Sequence, residues 1–306
     1  MIKKTSYFKH PEESKAIFSR WVKKLENANG YTYEKKVIQT SLGATQIYAL
    51  SSEVQAQRET LVIFPGFRTT SLIWDLDRGL AALAQHTQIF LVETNGQPNL
   101  SEGNSPDIKS LDYGIWAAEV LTQLDLESTY IAGASFGGLV CMKLALVAPE
   151  RIKAAFLLNP GCFRMISFGL KNLYYNLLPV VSPKNRNIRR FLDQIVFHKP
   201  HHSLSQEAEE LLVEYLHLAL TDYKDQTEKP YYMKEQLDSV RVPVYIMVGE
   251  KDILMPYEKL LAHAQAHLHT SLVEVCRFEY AGHGIECLDL SIKFIEERIK
   301  KARVQV

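Results

Sequence analysis

The sequence predicts an α/β fold built on a doubly wound, mostly parallel sheet, with a helical segment inserted late in the chain. Three observations lead there. Apolar runs such as TLVIFPGF (60–67), QIFLVE (88–93), TYIAGA (129–134), AAFLLN (154–159) and VYIMVGE (244–250) end in turn residues, as strands buried on both faces do. Segments of helical periodicity at 72–85, 113–125 and 137–150 separate them, and a β-α-β-α order requires a parallel sheet with covering helices. After Pro160 the alternation stops until Val242, and the intervening sequence is helical, aromatic and basic. That stretch is too long for a connection, so it reads as a helical cap. The expected division is a core of 1–161 and 237–306 around a cap of 162–236.

Upstream, EKKVIQTS and TQIYALS read as an antiparallel lead-in pair, preceded by an amphipathic helix at about 11–29. SLVEVCRFEY (271–280) supplies the last strand before a closing helix. Lys plus Arg equals Asp plus Glu at 35 each, so no global field selects nucleic acid or an anionic surface. The opening MIKKTSYFKHPEESK has no apolar signal core, and no run approaches a membrane span. A cytoplasmic protein is expected. Cys141, Cys162, Cys276 and Cys287 lie far apart without a C-x-x-C pair, which suits reduced thiols rather than a disulfide framework or a zinc ribbon.

The run IAGASFGGLV (131–140) crowds one serine with residues that have almost no side chain. Gly133, Ser135 and Gly137 fit G-x-S-x-G between a predicted strand and a predicted helix, the context in which a serine sits on a tight, strained turn. Positions two residues either side then approach so closely that a Cβ would clash. The turn presents the hydroxyl above the sheet and aims the Phe136 amide at a developing oxyanion.

A serine hydroxyl is a poor nucleophile without a base, and the base needs an orienting carboxylate. Asp252 in EKDILMP follows the strand VYIMVG, and His283 in AGHG follows the strand after that, in the order Ser, Asp, His. A second oxyanion donor is expected from the loop FPGF (64–67), where the backbone N–H of Phe67 is the candidate.

GASFGG, GEKDILMP, AGHG and PGF together resemble the α/β-hydrolase superfamily over roughly residues 30 to 300. That resemblance implies an eight-stranded, mostly parallel sheet flanked by helices, a capped site and a serine-hydrolase triad. SYFKHPE, VETNGQPNLSEG and PERIKAAFLLNP are similar to a bacterial carboxylesterase-like branch, in which the position of Glu93 is usually Asp. Where the superfamily usually has His-Gly before the oxyanion residue, this chain has Pro65 and Gly66, which implies different hydrogen bonding in that loop.

The expected activity is hydrolysis of small to medium apolar acyl esters through an acyl-enzyme, with no cofactor or metal. Thioesterase, lactonase, perhydrolase and carbon–carbon hydrolase chemistry stay open, as does a non-catalytic ligand-binding protein, because the triad does not set the substrate. Phe163, Phe168, Tyr174 and Tyr175 are candidates for the cap's inner wall. HAQAH (263–267) lacks the Glu of a zinc-peptidase helix and reads as a surface helix. HKPHH (198–202) reads as a solvated loop, and NRNIRR (185–190) as a solvated helix face. Oligomeric state is not legible.

Overall fold

The structure, a computed structural model, describes residues 2–50, 59–165 and 169–304. Two short strands, β1 (Ile2–Thr5) and β2 (Tyr7–Phe8), open the chain and lead into helix α1 (Pro11–Asn29). Pro11 starts that helix, where a missing N–H costs nothing, and Glu12 and Glu13 meet the positive end of its dipole. Gly30 ends it at φ 75° with its N–H on the carbonyl of Glu26. Phe18, Trp21, Val22 and Leu25 fall on one face and are buried.

The antiparallel pair β3 (Glu34–Thr40) and β4 (Gly43–Leu50) precedes β5 (Glu59–Phe64), β6 (Thr87–Val92), a short β7 (Asn104–Pro106) and helix α3 (Asp112–Gln123). Between β5 and β6 the sequence predicts one helix over 72–85, and the structure corrects this. Ser71–Arg78 is a 3₁₀ stretch broken at Asp77 (φ 56°), and only Ala81–Ala84, α2, is α-helical. The cause is tertiary. Asp75 is buried and accepts hydrogen bonds from the hydroxyls of Tyr33 (2.6 Å) and Tyr31 (2.8 Å), from Asn29 Nδ2 (3.0 Å) and from the amide of Leu80 (3.0 Å). A carboxylate held in this way captures an amide that a continuous helix would have bonded internally.

Next come β8 (Thr129–Ala134), α4 (Phe136–Val147) and β9 (Ile152–Leu158). The chain then leaves the sheet through α5 (Leu170–Val181), α6 (Asn185–Phe191) with a π-helical turn at Leu192–Val196, and α7 (Gln206–Thr221). It returns by β10 (Tyr223–Lys224), which pairs antiparallel with β2, so the excursion is not purely helical. The strands β11 (Val244–Gly249) and β12 (Leu272–Phe278), with helices α8 (Tyr257–Leu268) and α9 (Asp289–Val304), complete the order.

Eight strands form one sheet in the order β12-β11-β9-β8-β5-β6-β4-β3, parallel except for β4, which runs against both of its neighbours. On one face α3, α4 and α8 pack on the sheet; on the other lie α1, α2, α7 and α9. The chain passes from β5 outward to β6, then back across to β8, so the loops leaving β5 and β8 diverge. Such a switch point, outside the carboxyl ends of the strands, is where open α/β sheets place their ligands.

Candidate active site

The register of β5 and β8 pairs Phe64 with Gly133, so the segments Pro65–Phe67 and Ala134–Phe136 emerge side by side. Ser135 sits between β8 and α4 at φ 49°, ψ −108°, a conformation that an L-residue holds only when its surroundings impose it. They do. Its N–H donates to Leu158 (2.8 Å), and its carbonyl accepts from Gly138 (3.1 Å) and Gly161 (2.9 Å). A Cβ at Gly133 would collide with the backbone of Gly137, and one at Gly137 with the carbonyl of Phe64. These two glycines permit the turn, and Ser135 remains partly exposed while its neighbours are buried.

Phe136 is the first residue of α4, so its N–H has no carbonyl a turn behind it. The Phe67 ring lies 6.0 Å from that of Phe136, and a Cβ at Gly66 would stand 3.9 Å from that of Ser135. The loop after β5 is therefore against the serine. With Pro65 in place of the usual histidine, other groups hold it: Thr69 Oγ1 donates to the Gly66 carbonyl (2.9 Å), and the amide of Arg68 donates to Gln97 Oε1 (2.6 Å).

Asp252 and His283 meet at the ends of β11 and β12. His283 Nδ1 donates to Asp252 Oδ2 at 2.7 Å. The other carboxylate oxygen accepts the amides of Leu254 (2.8 Å) and Met255 (2.9 Å), so the buried carboxylate cannot rotate away. Burial works against a charged imidazole, but the charge and hydrogen bond of Asp252, with Glu286 nearby, outweigh it and raise His283 above the usual histidine range. With Nδ1 held by Asp252, Nε2 is the nitrogen left for proton transfer.

Two residues that sequence reasoning missed position this histidine. Asn159, at φ 41° just past β9, donates from Nδ2 to the carbonyls of His283 (2.8 Å) and Gly282 (3.2 Å) and accepts the amide of Gly249 on Oδ1 (3.0 Å). One side chain thus ties the histidine loop to β11, two residues from the Gly161 bond to Ser135. His202 belongs to the run read as a solvated loop, and the structure corrects that reading. It is buried; its Nδ1 accepts the amide of Gly282 (3.1 Å) and its Nε2 donates to the carbonyl of Gly284 (3.1 Å). The bond accepted on Nδ1 needs the neutral ring, and burial pushes its pKa down to about 4 against the bond to Gly284, which favours the charged form. HKPHH shows histidines but nothing in it says that one is enclosed, whereas Asn before Pro at a strand end was a visible signal.

A further buried carboxylate lies beneath the β5 loop. Glu93 Oε1 accepts the hydroxyls of Thr70 and Ser71, and burial raises its pKa to about 7. His263 and His267, expected on a surface helix, dock the returning chain instead. His263 Nδ1 donates to the Phe163 carbonyl (2.7 Å) and its ring stacks on Tyr232 at 4.4 Å; His267 bonds Tyr232 Oη (2.6 Å) and Asp238 (2.7 Å).

The proposed wall residues separate. Phe163 is fully buried in the core on the α4 side, and Tyr175 is half-buried against the same core. Tyr174 is 57 % exposed on α5, a correction to its expected place on a covered wall, because that helix leaves its apolar stripe unpacked. Phe168 lies outside the described residues.

A family profile described as alpha/beta hydrolase fold matches residues 59–180. The crystal structure of naproxen esterase (carboxylesterase NP) from Bacillus subtilis superposes with a TM-score of 0.74 at 20 % identity, covering 94 % of this chain and 98 % of that one. The chain has the α/β-hydrolase fold. Among hydrolases of this fold it is 25 % identical over 278 residues to the uncharacterized carboxylesterase nap of Bacillus subtilis strain 168, covering 86 % of this chain and 84 % of the relative. It is also 25 % identical over 255 residues to carboxylesterase YbfK of the same strain, covering 80 % of each.

Proposed function

We propose that this protein is a carboxylesterase acting on small to medium apolar esters, with Ser135 as nucleophile, His283 as base and Asp252 as its orienting partner. Residues 162–236 serve as the cap, and 1–161 with 237–306 as the hydrolase core. His283 Nε2 takes the hydroxyl proton as Ser135 Oγ attacks the acyl carbon, and Asp252 stabilises the imidazolium that forms. The N–H groups of Phe136 and Phe67 receive the charge on the carbonyl oxygen. The protonated histidine then gives its proton to the departing alcohol, leaving an acyl-serine. Water deprotonated by the same imidazole attacks that ester, and collapse releases the acid and restores Ser135. The reaction needs neither metal nor cofactor. The four free thiols accord with a cytoplasmic location, where disulfides do not form.

The observation that carries this reading is the 2.7 Å Asp252–His283 pair, which lies past the carboxyl ends of β11 and β12 as the strained Ser135 turn lies past that of β8. The test is turnover of p-nitrophenyl esters of increasing chain length by wild type and Ser135→Ala, with fluorophosphonate labelling mapped by mass spectrometry. We expect label on Ser135 and a fall in kcat of roughly 10⁴-fold or more in the variant. A folded wild type that neither labels nor turns over ester would transfer the fold to ligand binding.

A further inference from the structure

Helix α5 is turned inside out. Asn172 and Pro179 are its buried residues, while Leu170, Leu173, Leu177, Val180 and Val181 form an exposed stripe at spacings of three and four, Leu170 at 87 % and Val181 at 81 % exposure. Single exposed leucines are ordinary on protein surfaces, but a helix-long aliphatic stripe marks a surface that meets something. Along the chain, the segment that carries it has charge of one sign. From Cys162 to Leu192 the sequence contains no Asp or Glu and six Lys or Arg residues. Arg189 pairs with Glu209, and Arg164 bonds the Pro256 carbonyl. Lys171, Lys184, Arg186 and Arg190 are exposed, and among the described residues none of the four pairs with a carboxylate.

From the aliphatic stripe and the unpaired cations beside it, we infer that α5 is an adsorption surface for an anionic phospholipid bilayer. The aliphatic side chains enter the boundary between headgroups and acyl chains, and the cations rest on the phosphates. This attachment is peripheral: no helix among the described residues is long and apolar enough to cross a membrane. A second copy fits the surface poorly, because a two-fold contact through α5 would bring two sets of unpaired cations together. A protein partner is less favoured too, since the stripe itself is made of leucines and valines and holds none of the Trp and Arg side chains that concentrate energy at protein interfaces. The inference stands apart from the catalytic reading and uses none of its residues.

The full-length protein would be sedimented with vesicles of phosphatidylcholine alone and of phosphatidylcholine mixed with phosphatidylglycerol in equal parts, at low and high salt. We expect binding to the mixed vesicles at least about tenfold tighter than to the neutral ones, weakened by salt. Lys184→Glu with Arg186→Glu should weaken it by more than about tenfold, each lost cation contributing roughly fivefold. Leu170→Glu with Val181→Glu should abolish it while far-ultraviolet circular dichroism and Tm stay at wild-type values. Equal binding to both vesicle types, or binding unchanged in either double variant, overturns the inference. So does absence of binding to both, and a dimer in light scattering that Leu170→Glu with Val181→Glu dissociates would then assign the face to a second copy.

Discussion

The two halves of the excursion between β9 and β11 obey opposite rules. The returning half, from His202 through α7 to β10, is fastened at every step. Trp21 of α1 donates its indole N–H to the Leu211 carbonyl (2.8 Å), and Phe18 and Trp21 pack their rings 6.0 and 5.3 Å from that of Tyr215. The Tyr215 hydroxyl donates to the Pro98 carbonyl (3.1 Å), Ser205 caps α7 and donates its own amide to Asp77 (2.8 Å), and β10 pairs with β2. The departing half, α5, shows solvent its leucines and valines. Both halves have helical periodicity, but among the described residues the apolar side of α7 is packed and the aliphatic stripe of α5 is left to solvent. Apolar spacing tells a helix which residues share a face, and the rest of the molecule decides what that face meets.

The contrast can be broken most forcefully at Trp21. Trp21→Ala removes a large buried ring from the α1–α7 contact and should lower stability by about 3–5 kcal/mol, read from urea denaturation. A loss under about 1 kcal/mol would mean that α1 does not anchor the returning half.

His202→Phe sharpens the comparison next, because it keeps the shape of the ring and deletes both bonds to the His283 loop. The folded pKa of His202, about 4, lies below its ordinary 6.5, so its contribution to stability is complete above pH 6.5 and is lost as the pH falls toward 4. That difference corresponds to about 3 kcal/mol. Glu93 acts in the opposite sense, since its folded pKa near 7 makes stability fall as pH rises from 4.5 through 7. The informative quantity is therefore wild type minus His202→Phe at each pH. It should shrink as the solution is acidified, and a pH-independent difference would show that the clamp does not rely on the neutral ring. The same variant should lower kcat more than it raises KM, because it loosens the base and not the substrate.

The smallest effect is expected on the departing half. Leu177→Ser should change stability by no more than about 0.5 kcal/mol, because the leucine already faces water. A larger loss by denaturation would mean that the stripe is packed in solution.

The sequence alone was enough for the parts that depend on near neighbours in the chain. Helix α1 spans Pro11–Asn29, close to the amphipathic helix expected at about 11–29, and β8 spans Thr129–Ala134, as its apolar run predicts. The strand-to-helix position of Ser135 and the loop positions of Asp252 and His283 were legible for the same reason: glycine spacing and strand ends are local signals. The break at Asp77 was not, because it depends on Asp75 meeting tyrosines from around α1. Neither was the burial of His202, nor the docking of His263 and His267, since an imidazole in a polar stretch carries no mark of what will close over it.

Local propensity and periodicity, which act over a few residues, thus settled the α/β order, the span of α1 and the residue types at the candidate site. Tertiary structure decided the rest. It brought Asp252 to His283, enclosed His202 in neutral form against that loop, and left α5 with its apolar side outward. The physical reason is that desolvation and hydrogen bonding between distant segments depend on which surfaces meet, and that is a property of the assembled chain.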